Sequence, residues 1–224
     1  MAKPDLSSQA AGGEIETNYA FPKLRIVVFA RAPLLGKVKT RLQAELGAEA
    51  CLDIYLRLLD RVMRNVLDSR LAPVQLWVDG LPDHEVFLSY CKREHIHLQV
   101  QGDLGQRMAG AVENALAEPE TEAVLLLGSD CPAMDCSHLQ PALSALASGS
   151  DAVITPAEDG GYVALGLRSL IPELFVEMDW GGEGVFAATM GRLSALDVKP
   201  LVLPALWDVD RPADLKRFLE LESR

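Results

Sequence analysis

Residues 24–41 read LRIVVFARAPLLGKVKTR. From Leu24 to Ala30 the run is apolar and largely β-branched or aliphatic, broken by Arg25, and this composition predicts a buried strand. The chain then turns basic: Arg31, Lys37, Lys39 and Arg41 follow with no Asp or Glu among them, in a protein whose formal net charge is −11. Such a loop reads either as a solvated patch, since Lys and Arg side chains are usually exposed, or as a seat for an anion. Its position directly after a strand favours the anion, with the missing counter-charge expected from a ligand.

Working outward, similar short runs recur at VQLWVD (74–79), HLQVQ (97–101), AVLLLG (123–128), DAVIT (151–155) and YVALGL (162–167). Segments of helical period separate them. Cys51, Tyr55, Leu58, Leu59, Val62 and Val66 recur at spacings of three and four and predict a long amphipathic helix. Further helices are predicted from Leu104 to about Ala117, from Ser137 to Ala147 with Ser137 as N-cap, and from Pro212 with Leu215, Phe218 and Leu219 on one face. In the last, Arg211 is a poor nominal N-cap and Asp214 falls at the third helical position. The alternation of strand and helix predicts an α/β fold with a mainly parallel sheet covered by helices on both faces. The connections around YVALGL are too short for crossover helices, which predicts an antiparallel strand there and a mixed edge.

The 224 residues suit one large domain able to bury roughly 70% of its unfolded surface. Residues 1–22 have low hydrophobicity and no sustained period and read as a flexible arm, leaving 23–224 as the domain. The acidic balance argues against nucleic acid and anionic membrane as partners. No apolar run reaches the roughly 18 residues of a membrane span and no secretion signal is evident, so a cytoplasmic location is expected. Cys51, Cys91, Cys131 and Cys136 lack paired spacing and read as reduced, mostly buried thiols. No Ser or Cys nucleophile motif surrounds the histidines, so a triad hydrolase is not supported.

In open α/β sheets ligands bind beyond the carboxyl ends of the strands, and each conspicuous polar cluster falls at such an end. Asp130, in GSDCP (128–132), follows the fourth strand and precedes a proline; it reads as a ligand for Mg²⁺ or Mn²⁺, or as a turn or cap residue. In EDGGY (158–162), Gly160 and Gly161 allow backbone to approach a ligand beside the carboxylates of Glu158 and Asp159; the same letters also spell a hairpin turn. Gly102, Asp103 and Arg107, in GDLGQRM, could present backbone N–H groups and a guanidinium to an anion, or simply join a strand to a helix. Gly36, Lys37, Lys39 and Arg41 complete the basic loop. Asp208 and Asp210, in WDVD, precede the final helix.

Taken together and in order, FARAPLLGKVKTRL, QGDLGQRM, GSDCP, PAEDGGYVALGL and WDVDRPADL resemble a family of bacterial GT-A-fold transferases. This family was formerly a domain of unknown function and is associated with arsenosugar biosynthesis as glycosyltransferases. The resemblance implies a Rossmann-like three-layer α/β/α sandwich of the nucleotide-diphospho-sugar transferase (GT-A) type, a metal on Asp130 with Asp208 or Asp210 nearby, and a first loop facing a nucleotide's phosphates. Two departures stand out: GGEGV follows Trp180 where a Ser/Thr-containing stretch is expected, and Arg211 replaces the usual Thr at the last helix start.

The expected function is then metal-dependent glycosyl transfer from a nucleotide-activated donor to a small acceptor, with Asp159 or Glu158 as general base. Two alternatives stay open: nucleotidyl transfer from an NTP with pyrophosphate release, and nucleotide binding without catalysis.

Overall fold

The computed structural model describes residues 18–223. Most of the N-terminal arm, residues 1–17, lies outside the described residues; Ala20 and Phe21 donate backbone hydrogen bonds to Arg70 and Leu71. The described chain builds a seven-stranded sheet in the order β3-β2-β1-β4-β6-β5-β7. The strands are β1 (Leu24–Arg31), β2 (Val74–Asp79), β3 (Ile96–Leu98), β4 (Ala123–Gly128), β5 (Ala152–Pro156), β6 (Tyr162–Leu167) and β7 (Leu201–Val202). The helices are α1 (Gln43–Ser69), α2 (Glu85–Leu88), α3 (Leu104–Leu116), α4 (Cys136–Ala147), α5 (Val185–Ala195) and α6 (Pro212–Glu222).

β1 lies at the centre of the parallel half because its continuous apolar run can be covered on both faces. It pairs in parallel with β2, Ile26 opposite Val74, and with β4, Leu24 opposite Ala123. β6 is antiparallel to both β4 and β5, as its short connections predict. It sits inside the sheet, however, and not at its edge. The outer position belongs to β7, a two-residue strand parallel to β5 that is too short to register as a sequence signal.

The apolar stripe of α1 divides its work. Tyr55, Leu59, Val62, Met63 and Val66 pack on the sheet with Leu139, Leu143 and Leu146 of α4. Cys51, Ile54 and Leu58 pack instead with Trp207, Val209, Leu215 and Phe218 around α6. The opposite sheet face is closed by Met108, Ala111, Val112 and Ala115 of α3 and Leu193 of α5. Each fully buried aliphatic side chain contributes about 1.5–3 kcal/mol to this arrangement.

Several local expectations need correction. The α4 cap is Asp135, whose carboxylate accepts from the Ser137 N–H; Ser137 itself lies one turn position inside the helix. β3 ends at Leu98, three residues before the run HLQVQ does, because the Gln99 side chain turns inward. Among the cysteines, Cys51 and Cys131 are buried, Cys91 is half-buried and Cys136 is exposed, all as free thiols. Among the described residues, no helix is long and apolar enough to cross a membrane.

Candidate active site

The polar clusters converge on a cleft of about 640 Å³ at the carboxyl ends of the parallel strands. The first loop forms one wall. Leu34 and Lys37 close a turn through the Lys37 N–H to Leu34 carbonyl bond, 3.0 Å, in which Gly36 takes φ 73°. Gly36 therefore serves the turn, and neither it nor exposed Lys37 lines the cleft. Val38 is buried as an anchor, after which Lys39, Thr40 and Arg41 face the cleft. Arg31 also lines it. The Tyr55 hydroxyl, reaching from α1, accepts from the Arg31 N–H at 2.9 Å and donates to the Arg31 carbonyl at 2.6 Å, which fixes the end of β1.

Asp130, Asp208 and Asp210 form the opposite wall, and each offers a carboxylate oxygen within 4.8 Å of the others. Backbone bonds bring them together across the sequence. The Val209 N–H donates to the Asp130 carbonyl at 3.0 Å, laying the WDVD segment against the end of β4. The Asp214 carboxylate in the first turn of α6 accepts from the N–H groups of Asp210 and Arg211, supplying the cap that Arg211 cannot. Burial pushes the Asp208 carboxyl up to about 7, helped by the negative charges of Asp130, Asp159 and Asp210. Three clustered carboxylates are the oxygen-rich donor set that Mg²⁺ and Mn²⁺ prefer.

The counter-charge expected from a ligand is already partly present. Lys39 Nζ lies 3.2 Å from Asp130 Oδ2 and 3.3 Å from Asp210 Oδ1, with its side chain only 6% exposed. Burial alone would lower the Lys39 ammonium, but the two carboxylates outweigh it and its affinity for the proton is raised. Arg41 Nη1 meets the second Asp210 oxygen at 2.8 Å. Arg31 enters no ion pair among the described residues.

The glycine-bearing loops behave less as expected. Asp159 and Gly161 line the cleft, and the Asp159 carboxylate accepts from the Gly161 N–H at 2.9 Å. Glu158 turns outward to Arg217 at 2.8 Å and leaves the cleft. Gly160 also lies outside the lining: a Cβ there would stand 2.1 Å from the Glu183 carbonyl, and its own carbonyl accepts from the Phe186 N–H. Its missing side chain accommodates the 181–184 segment and not a ligand. Asp103 is the N-cap of α3, exchanging bonds with Gln106, while Gly102 adopts φ 133° in front of it; neither reaches the cleft. Arg107 does, held by Asp79 at 2.9 Å.

Residues that the motifs did not reveal complete the walls. Gln99, buried, donates to the Trp77 and Ala30 carbonyls and offers its oxygen towards Arg107. Trp180 and, from the GGEGV stretch that follows it, Gly181 and Gly182 also line the cleft, with Trp180 seated over Gly105, where a Cβ would meet its indole nitrogen at 2.8 Å. The Tyr162 hydroxyl and the Trp180 Nε1 are buried and lack a hydrogen-bond partner among the described residues. The sequence signal near Trp180 was the GGEGV stretch after it, where a Ser/Thr-containing stretch was expected.

A structure described as "putative nucleotide-diphospho-sugar transferase", from Desulfovibrio desulfuricans G20, is 32% identical, with 84% of this chain and 83% of that one covered and a TM-score of 0.76. The 4-diphosphocytidyl-2C-methyl-D-erythritol synthase of Anaerococcus prevotii DSM 20548 is 12% identical over 91% and 99% of the two chains, TM-score 0.61. Rv0371c of Mycobacterium tuberculosis H37Rv, in complex with manganese, is 14% identical over 88% and 98%, TM-score 0.52. At those identities the last two show a shared fold alone. No curated protein matches the sequence. Residues 62–182, which include β4 with Asp130, Asp159 and the Trp180 segment, match the family described as "Uncharacterized protein conserved in bacteria (DUF2064)", and the chain belongs to that family.

Proposed function

We propose that this protein is a divalent-metal-dependent transferase that uses a nucleotide-activated donor, and that it moves a sugar from a nucleoside diphosphate to a small acceptor. One observation carries the reading: the carboxylates of Asp130, Asp208 and Asp210 face Lys39, Arg41, Arg31 and Arg107 inside one cleft of about 640 Å³. That volume lies within the range for small-molecule and cofactor sites. The name given to the 32%-identical relative supports the same donor class.

Asp130, Asp208 and Asp210 would hold Mg²⁺ or Mn²⁺. The bound ion would supply positive charge to a departing diphosphate. Arg31 and Arg107, on the β1 and α3 walls, would bind and orient the phosphates, and the first-loop cations would add to their charge. Asp159, whose carboxylate accepts from the Gly161 N–H, would take the acceptor's proton in an inverting reaction. Glu158, engaged by Arg217, is not assigned that role.

Nucleotidyl transfer is kept as the second reading because Arg31, Lys39 and Arg41, all lining the cleft, could also serve a triphosphate. The deciding experiment incubates the full chain with Mn²⁺ and panels of NDP-sugars and NTPs. Release of nucleoside diphosphate from an NDP-sugar, abolished in Asp130→Ala, is the expected result. Pyrophosphate release from an NTP would transfer the assignment to the second reading. Turnover unaffected by the Asp130 substitution would overturn the metal assignment.

A further inference from the structure

The carboxylates that would hold the ion already hold a cation. Lys39 bridges Asp130 and Asp210 from within the protein, and Arg41 occupies the remaining oxygen of Asp210. The ammonium is delivered by strained backbone: Lys39 adopts φ 45° and ψ 43°, a left-handed conformation uncommon outside glycine. A divalent ion seated on the same oxygens would face Lys39 at close range, and the repulsion between the two like charges sets them in competition for those oxygens. Lys39 and Arg41 together supply two positive charges, the same number that a divalent ion brings.

We propose that Lys39 is the resident counter-ion of the acid cluster, and that the ion and the donor's diphosphate bind as a coupled pair. The ion takes Asp130 and Asp210 from Lys39 and Arg41, and the displaced cations turn to the phosphates. This inference rests on the metal-dependent reading above. An ion arriving alone evicts an ammonium that then has no partner, so it binds weakly. A diphosphate arriving alone meets cations already engaged by aspartates, so it too binds weakly. Each ligand therefore raises the affinity of the other by the same factor.

The test follows Mn²⁺ binding by the electron paramagnetic resonance of the free ion, in the full-length protein and in Lys39→Met, with and without UDP, GDP or CDP. Lys39→Met is expected to bind Mn²⁺ alone at least tenfold more tightly than the parent. The parent should gain at least tenfold in Mn²⁺ affinity from a nucleoside diphosphate, and the variant less than threefold. A second arm uses the unaltered protein, so that a misfolded variant does not decide the matter. Trace acetylation read by peptide mass spectrometry should find Lys39 protected without metal, at least fivefold more reactive with Mn²⁺ alone, and protected again when a diphosphate joins.

Equal Mn²⁺ affinity in parent and folded variant, or Mn²⁺ bound with Lys39 still protected, overturns the exchange. If Mn²⁺-dependent donor turnover persists in that case, the transferase reading stands without it. Failure of every diphosphate to raise Mn²⁺ affinity overturns the coupling. Absence of Mn²⁺ binding from both proteins overturns the exchange and the metal assignment together.

Discussion

Two neighbouring carboxylates in EDGGY illustrate how much a single orientation decides. Asp159 lines the cleft while Glu158 pairs with Arg217 on the outside, so their substitutions should separate cleanly. Asp159→Asn is expected to lower donor-dependent turnover about 100-fold or more, the range for loss of a general base, and Glu158→Gln to leave it within about twofold in the same assay. Asp208 offers a test independent of activity. Its carboxyl titrates at about 7 in the fold, above the ordinary aspartate value of 3.8, so the native state binds the proton more tightly than the unfolded chain. The resulting stability is complete below about pH 4 and is lost as pH rises through 7. In chelator, Asp208→Asn should therefore melt above the parent protein at pH 8, with the difference shrinking on acidification; Mn²⁺ should reverse the order at pH 8. Thermal melts across that range check both. Asp130 was legible as a candidate from its place between an apolar run and a proline. Its engagement by Lys39, 91 positions away, was not, because no local pattern records which distant charges a fold brings together.

The elements were legible where periodicity was strong and obscure where it was short. α1 and α3 follow from apolar spacing, and the antiparallel direction of β6 follows from connection length. α5 begins in a glycine-rich segment and contains Gly191, which hides its period, and the two residues of β7 carry no pattern at all. GDLGQRM was harder because cap and anion site share an alphabet. Its Asp103 satisfies the Gln106 N–H, and Gly105 makes room for Trp180. Asp103→Ala should therefore cost about 1 kcal/mol of stability, as N-cap losses do, measured by urea denaturation, without changing nucleotide affinity. A loss of affinity larger than the loss of stability would restore a binding role to this turn.

For the whole molecule, ligand binding should appear as a gain in stability, because the site is assembled from β1, β4, the WDVD segment and the 157–161 loop and exists only in the folded state. A ligand at about 100 times its dissociation constant adds about 2.7 kcal/mol, which for a chain of this size corresponds to a rise of about 5–10 °C in Tm. An NDP-sugar with Mn²⁺ is expected to give this rise, and either component alone distinctly less; a thermal-shift titration decides it. The placement of β6 also bears on how such a protein could be re-engineered. Because β5 and β6 form a hairpin, the 157–161 tip hangs from two adjacent strands with no crossover helix between them, and is held from outside by the Leu206 bridge to Ala157 and by Arg217 on Glu158. Gly160, packed beneath Glu183, joins that tip to the 181–184 segment. The two loops thus have to be exchanged with their seam intact: a foreign 157–161 tip with any side chain at position 160 would set it against the Glu183 carbonyl, whereas grafting both together keeps the fit and leaves the parallel half of the sheet untouched.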